Sequence, residues 1–136
     1  MNDMKTTKIL RTLVLITLAW PGAAAAWVEK TPQPAAPSNL NAVAAAAKEV
    51  SLSWYDNSSD ERGFTIQRSE DGISWDTIAE LGANTGDYRD LDLEPESRYV
   101  YRVHAFNEVG ESDASNQDSV MTPPQLDLPV LILVLM

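Results

Sequence analysis

Apolar and polar positions alternate most cleanly between Leu93 and Asn107. Tyr99, Tyr101, Val103 and Ala105 fall on one side, and Arg98, Val100, Arg102 and His104 on the other. Residues two apart along a strand share a face, so this stretch predicts a half-buried strand with an aromatic inner side and a mostly basic outer side. Pro95 presets a turn just before it. A bend followed by an inward tyrosine fits a tyrosine corner, in which the ring fills the core and the hydroxyl reaches a backbone group across the corner.

The same period recurs along the chain. Leu40 to Val43 reads as a weak first strand, and the alanines 44–47 after it as a turn or frayed strand end, because a helix of about nine residues is marginal in water. Val50, Leu52 and Trp54 alternate with Ser51 and Ser53 to give a second strand with an indole inside. After a polar loop from Asp56 to Arg62, Phe64, Ile66 and Arg68 alternate with Thr65 and Gln67 as the third. Asp71-Gly72 reads as a hairpin turn in which both residues tolerate positive φ. Trp75 to Leu81 follows as a fourth strand, with Trp75, Thr77 and Ala79 opposite Ile78 and Glu80. Tyr88 to Leu93 is the fifth, entering the corner, and Ser115 to Met121 closes as the seventh.

Seven short strands with regular turn signals predict an all-β, seven-stranded antiparallel two-sheet sandwich over residues 37–122. Its expected core holds Leu52, Trp54, Ile66, Leu93, Tyr99 and Val103.

The flanks read differently. Residues 1–26 carry Lys5, Lys8 and Arg11, a short apolar run from Leu13 to Trp20, Pro21-Gly22 and then Ala24 to Ala26, the pattern of a signal-peptide helix cleaved before Trp27. Residues 27–36 form a proline-rich linker, expected to be an extended tether. Residues 123–136 are an apolar tail containing prolines. Its last seven residues are too few to span a bilayer, and the tail reads first as the cut end of a longer parent. The membrane therefore enters only through the signal segment or that truncated tail, and the module is expected to be monomeric and secreted, extracellular or periplasmic.

Composition narrows the chemistry. The chain of 136 residues has 10 Lys and Arg against 20 Asp and Glu, a formal net charge of −10, and no cysteine. An acidic surface repels phosphate backbones, which argues against nucleic acid. Without cysteine there are no disulfides, zinc–thiolate sites or thiol nucleophiles. His104 is the sole histidine and falls on the outer side of its strand, so neither a catalytic relay nor a two-histidine metal site is expected. Asp87, Asp90, Asp92, Glu94 and Glu96 crowd one loop, and Asp56, Asp60 and Glu61 another, but their spacing matches no calcium loop and solvated charge is the expected state. No catalytic residue, metal or cofactor is expected.

Together these residues resemble a fibronectin type III domain, an immunoglobulin-like fold, of the type found in exported bacterial proteins. The matching positions are Pro37, Leu40, Leu52, Trp54, the run Gly63-Phe64-x-Ile66-x-Arg68-Ser69, Asp71-Gly72, Tyr88-x-Asp90-x-x-Leu93, Pro95, Tyr99, Val103, Ala105, Asn107 and Gly110-x-Ser112. The resemblance implies a non-catalytic module that spaces domains or binds an extracellular protein or cell-surface polymer, including an adhesion-like role. A second reading is the accessory module of a truncated secreted polysaccharide-degrading enzyme. The family's Arg-Gly-Asp integrin site is not carried over, since the corresponding loop reads Asn107-Glu108-Val109-Gly110-Glu111-Ser112. Trp75, Phe106 and Tyr55 are the candidate surface-binding residues, as exposed rings could stack on a polysaccharide. The plainer expectation is that Trp75 packs under its hairpin and Phe106 covers a sheet edge. Asn57-Ser58-Ser59 is a formal glycosylation acceptor in a loop.

Overall fold

The computed structural model describes residues 32–126. The signal-peptide reading of residues 1–26, the start of the linker reading and the end of the tail reading lie outside them. Seven strands form two antiparallel sheets. They are β1 (Ser38–Ala46), β2 (Glu49–Tyr55), β3 (Gly63–Ser69), β4 (Asp76–Gly82), β5 (Asp87–Asp90), β6 (Arg98–Phe106) and β7 (Asp118–Met121). One sheet has the order β1-β2-β5 and the other β4-β3-β6-β7.

Alternation builds the core between them. On β6, Tyr99, Tyr101, Val103 and Ala105 are all 4% exposed or less. Leu52, Trp54, Ile66 and Leu93 are likewise buried, and the Trp54 and Phe64 rings meet at 5.8 Å between centroids. Such tilted aromatic pairs add a little to what area burial alone supplies. The corner closes as its residues predict, with the Glu94 amide donating to the Tyr99 hydroxyl at 3.1 Å.

Five elements differ from expectation. The alanine run is not a turn: β1 continues through Ala46, with Ala44 opposite Val50. The ladder on β2 satisfies its backbone, which overrides alanine's helical preference. β4 begins one residue after Trp75, and a register shift between Ile66 and Gln67 pairs them with Ala79 and Thr77, leaving Ile78 as the extra residue. That bulge breaks the simple alternation, so Ile78, Ala79 and Leu81 all pack on the core. Between β3 and β4 only Gly72 has positive φ, at 76°. Asp71 instead accepts from the amides of Ile73 and Ser74, closing a longer loop.

The seventh strand is also shorter than predicted. Ahead of it, Ser112 and Ser115 run beside β6 and use hydroxyls where a strand would use carbonyls: Ala105 N donates to Ser112 Oγ and Val103 N to Ser115 Oγ, each at 3.0 Å. The fifth ends at Asp90, leaving Leu91 exposed.

The end of the proline-rich segment is not a free tether. Pro34 and Pro37 are buried, and Asn107 Nδ2 donates to the Pro32 carbonyl at 3.0 Å. Farther along, Asn116 accepts from Leu40 N and donates to Leu40 O, while Asp118 accepts from Ala42 N. These side chains occupy the outer edge of β1, which would otherwise offer unpaired backbone groups to another chain.

Candidate functional site

Pairing fixes which residues leave the four-stranded sheet on its outer face. Thr65 lies opposite His104 and Glu80, Gln67 opposite Arg102 and Thr77, Ser69 opposite Val100, and Gly63 opposite Phe106 and Gly82. Ser119 and Met121 continue the rows beyond Val100 and Arg98. On these strand positions stand two guanidinium groups, Arg98 and Arg102, and a single carboxylate, Glu80. In a chain of net charge −10, these strand positions reverse the sign around Arg98 and Arg102, while Glu111 joins the face at its Thr65 end.

Arg102 is held in place. Its Nε donates to Gln67 Oε1 at 2.7 Å, and its guanidinium carbon lies 4.2 Å from the centroid of the Trp75 ring. A guanidinium over an indole is attracted by the ring's electron-rich face. Among the described residues, the ion pairs use Arg62 with Glu108, Arg68 with Asp90 and Arg89 with Glu49. Arg98 and Arg102 belong to none of them. Met121, opposite Arg98, is 64% exposed.

The candidate rings separate. Trp75 and Phe106 are both half-buried, and both belong to this face, Trp75 beside Arg102 in the middle of β6 and Phe106 at its end. Trp75 already carries the Arg102 guanidinium on its ring. Phe106 lies over Gly63, where an added Cβ would come within 2.8 Å of the ring and 2.0 Å of the Leu81 carbonyl oxygen. It therefore covers a glycine in a central strand, not a sheet edge. Tyr55 is 66% exposed but sits at the end of β2 in the other sheet. No single surface unites the three.

His104 points outward yet is committed locally, its Nδ1 lying 3.0 Å from the Ser112 carbonyl oxygen, which places the proton on that nitrogen. Its Nε2 is buried without a partner, as are Trp54 Nε1 and Glu61 Oε2. The other outward positions are partly occupied too: Thr65 donates to Glu111 at 2.9 Å, and Val100 is only 5% exposed.

The acidic clusters do not behave as one solvated group. Asp90 is 4% exposed and accepts from Arg68 Nη1 and, at 2.8 Å, from the Tyr101 hydroxyl. Burial works against the Arg68 charge, but Asp90 outweighs it and raises the guanidinium's pKa. Burial first, and then the bond to Asp90, push the Tyr101 hydroxyl far above its ordinary value. Glu61 is also buried, with Oε1 accepting from Asn84 N at 3.1 Å. Asp87, Asp92, Glu94 and Glu96 remain exposed. Among the described residues no group of three or more carboxylates or histidines is placed to hold a metal ion.

Asp71 shows the opposite effect at the surface. The amides of Ile73 and Ser74, then the Ser69 hydroxyl, stabilise its charged form and hold its pKa well below the usual carboxylate range.

The family model described as the fibronectin type III domain matches residues 35–120. The chain belongs to this family. The fibronectin type III domain here is 27% identical over 106 residues to the cell adhesion molecule DSCAM of Gallus gallus, an alignment covering 68% of this chain. It spans 5% of that relative's length. Among solved structures it resembles a β-1,2-glucanase from Parabacteroides distasonis, at 27% identity and a TM-score of 0.60 over 76% of this chain and 15% of the glucanase. It also shares its fold with the chicken CNTN1 FN1-FN3 domains, at 20% identity and a TM-score of 0.62, covering 68% of this chain and 33% of that one.

Sequence reasoning singled out aromatic rings and missed Arg98, Arg102 and Met121. The usable signal was present: two arginines four apart on the outward row of a strand, in a chain where carboxylates outnumber cations two to one.

Proposed function

We propose that the chain is a secreted, non-catalytic fibronectin type III module that spaces or presents a neighbour and docks an extracellular protein through the outer face of β4-β3-β6-β7. In this reading residues 1–26 are the export signal and residues 37–122 the module. One observation carries the docking face: Arg98, Arg102, Trp75 and Met121 share a face whose strand positions hold one carboxylate, Glu80, with Glu111 reaching it only at the Thr65 end. Arginine, methionine and aromatic residues are the types enriched in protein interfaces, while lysine and carboxylates are depleted. The likeness to a cell adhesion molecule supports the same reading.

The likeness to a β-1,2-glucanase supports a second reading, an accessory module beside a polysaccharide-degrading enzyme. Retardation of the protein in gels containing β-1,2-glucan would favour it.

The test compares retention of the full chain on the envelope of cells that produce it. Ser119→Arg with Thr77→Arg, which crowd the proposed face, should abolish retention. Ser51→Arg, on the outward row of the other sheet, should leave it unchanged. Equal retention of all three proteins would remove the docking face from the account.

A further inference from the structure

The cations of the described residues are Lys48, Arg62, Arg68, Arg89, Arg98 and Arg102. Three of them are neutralised by ion pairs within the domain. Of the others, Arg98 and Arg102 stand on one row of β6, four residues apart. At about 3.3 Å per residue, their strand positions are roughly 13 Å apart.

Arg102 is fixed at both its ring contact and its Nε. The Gln67 oxygen accepts from Nε and the Trp75 ring lies 4.2 Å from the guanidinium carbon, which restrains the group, and its Nη atoms enter no ion pair among the described residues. A planar guanidinium presented this way matches a carboxylate, which can accept from two N–H groups at once. The fixing also reduces the side-chain entropy lost on binding. A neutral sugar fits less well, because the guanidinium lies over the indole and Phe106 rests on Gly63.

Resting on the docking-face reading, we infer that the partner is a protein that presents an extended segment with carboxylates four residues apart, one to Arg102 and one to Arg98. An extended segment brings residues i and i+4 to one side with the same spacing as the two arginines. Threonine or serine between them would lie over the row of Val100 and meet Ser119. Charge complementarity is local to the row; elsewhere the acidic domain repels such a segment, which restricts where it can bind.

The probe is a soluble, capped peptide repeating the unit Glu-Ser-Thr-Ser, which when extended puts glutamates four apart with threonine between them on one side, titrated at physiological salt into the ¹⁵N-labelled full chain. Shifts are expected at the Arg102 Nε–H, the Trp75 indole N–H and the β6 amides. A charged hydrogen-bonded contact implies that Arg102→Gln weakens binding about tenfold or more. Arg62→Gln, which alters a different ion pair, should change nothing. The counterpart peptide with glutamine in place of glutamate should not shift these signals. Absence of shifts at millimolar peptide, equal shifts with the glutamine peptide, or binding of oligogalacturonate in preference to the peptide would each overturn the inference. Envelope retention separates the two levels. If Ser119→Arg with Thr77→Arg abolishes retention while Arg98→Gln with Arg102→Gln preserves it, the docking face stands and its carboxylate chemistry falls.

Discussion

The Tyr99 hydroxyl accepts a hydrogen bond from the Glu94 amide across the bend that carries β5 into β6. The ring is 4% exposed, so this bond joins a turn to the core. Tyr99→Phe keeps the ring and removes the acceptor, leaving the amide unpaired. A loss of about 1 kcal/mol is expected in urea denaturation, with little change in the slope m.

Asp90 joins the two sheets through Arg68 and Tyr101. Asp90→Ala leaves the Arg68 charge without its partner, and a cost of roughly 3 kcal/mol is expected from breaking a buried pair. Adding Arg68→Met should restore part of that loss, because the stranded charge is then gone. Denaturant midpoints of both single variants and the double variant measure the coupling.

How much of this was legible from residues alone depended on whether a feature is periodic. Val50, Leu52 and Trp54 announce β2, and Tyr99 to Ala105 announce β6, because burial on one face leaves a mark every second residue. The bulge opposite Ile66 and Gln67 leaves no such mark, so Trp75 was assigned to a strand that begins one residue later. The alanine run failed for another reason: its backbone partners lie on β2, and local preference carries no information about them. Asp90 looked like one carboxylate among many, since its partners come from β3 and β6 and meet it only after the sheets pack. The proposed docking face was half legible. Alternation placed Arg98, Arg102 and Phe106 outward, but only the folded register brings Trp75 and Gln67 to Arg102.

Asn116 occupies both backbone groups of Leu40 on the outer edge of β1. Asn116→Ala exposes those groups, with an expected loss of about 1 kcal/mol. Amide exchange at Leu40 should accelerate more than exchange at Ile66 in the centre of the other sheet. Concentration-dependent light scattering should rise as well, since an uncovered strand edge pairs with other chains.

Asp71 supplies the pH dependence of the β3–β4 loop. Its folded pKa lies below the unfolded value of about 3.9, so its contribution is present above that pH and is lost as pH falls through the folded value. Carboxyl chemical shifts should show Asp71 still ionised below the ordinary carboxylate range. In Asp71→Asn the loop's acid dependence should disappear, and titration of Asp71 at its ordinary value would contradict the hydrogen-bond account.

The proposal that one sheet face does the docking is tested most directly by a hydrogen-exchange footprint of the module while it is retained on the envelope of the cells that produce it. Protection is predicted over Arg98 to Phe106, Thr65 to Ser69 and Asp118 to Met121, with Glu49 to Tyr55 and Asp87 to Asp90 unchanged. Protection confined to β2 and β5, or spread equally over both sheets, would contradict it.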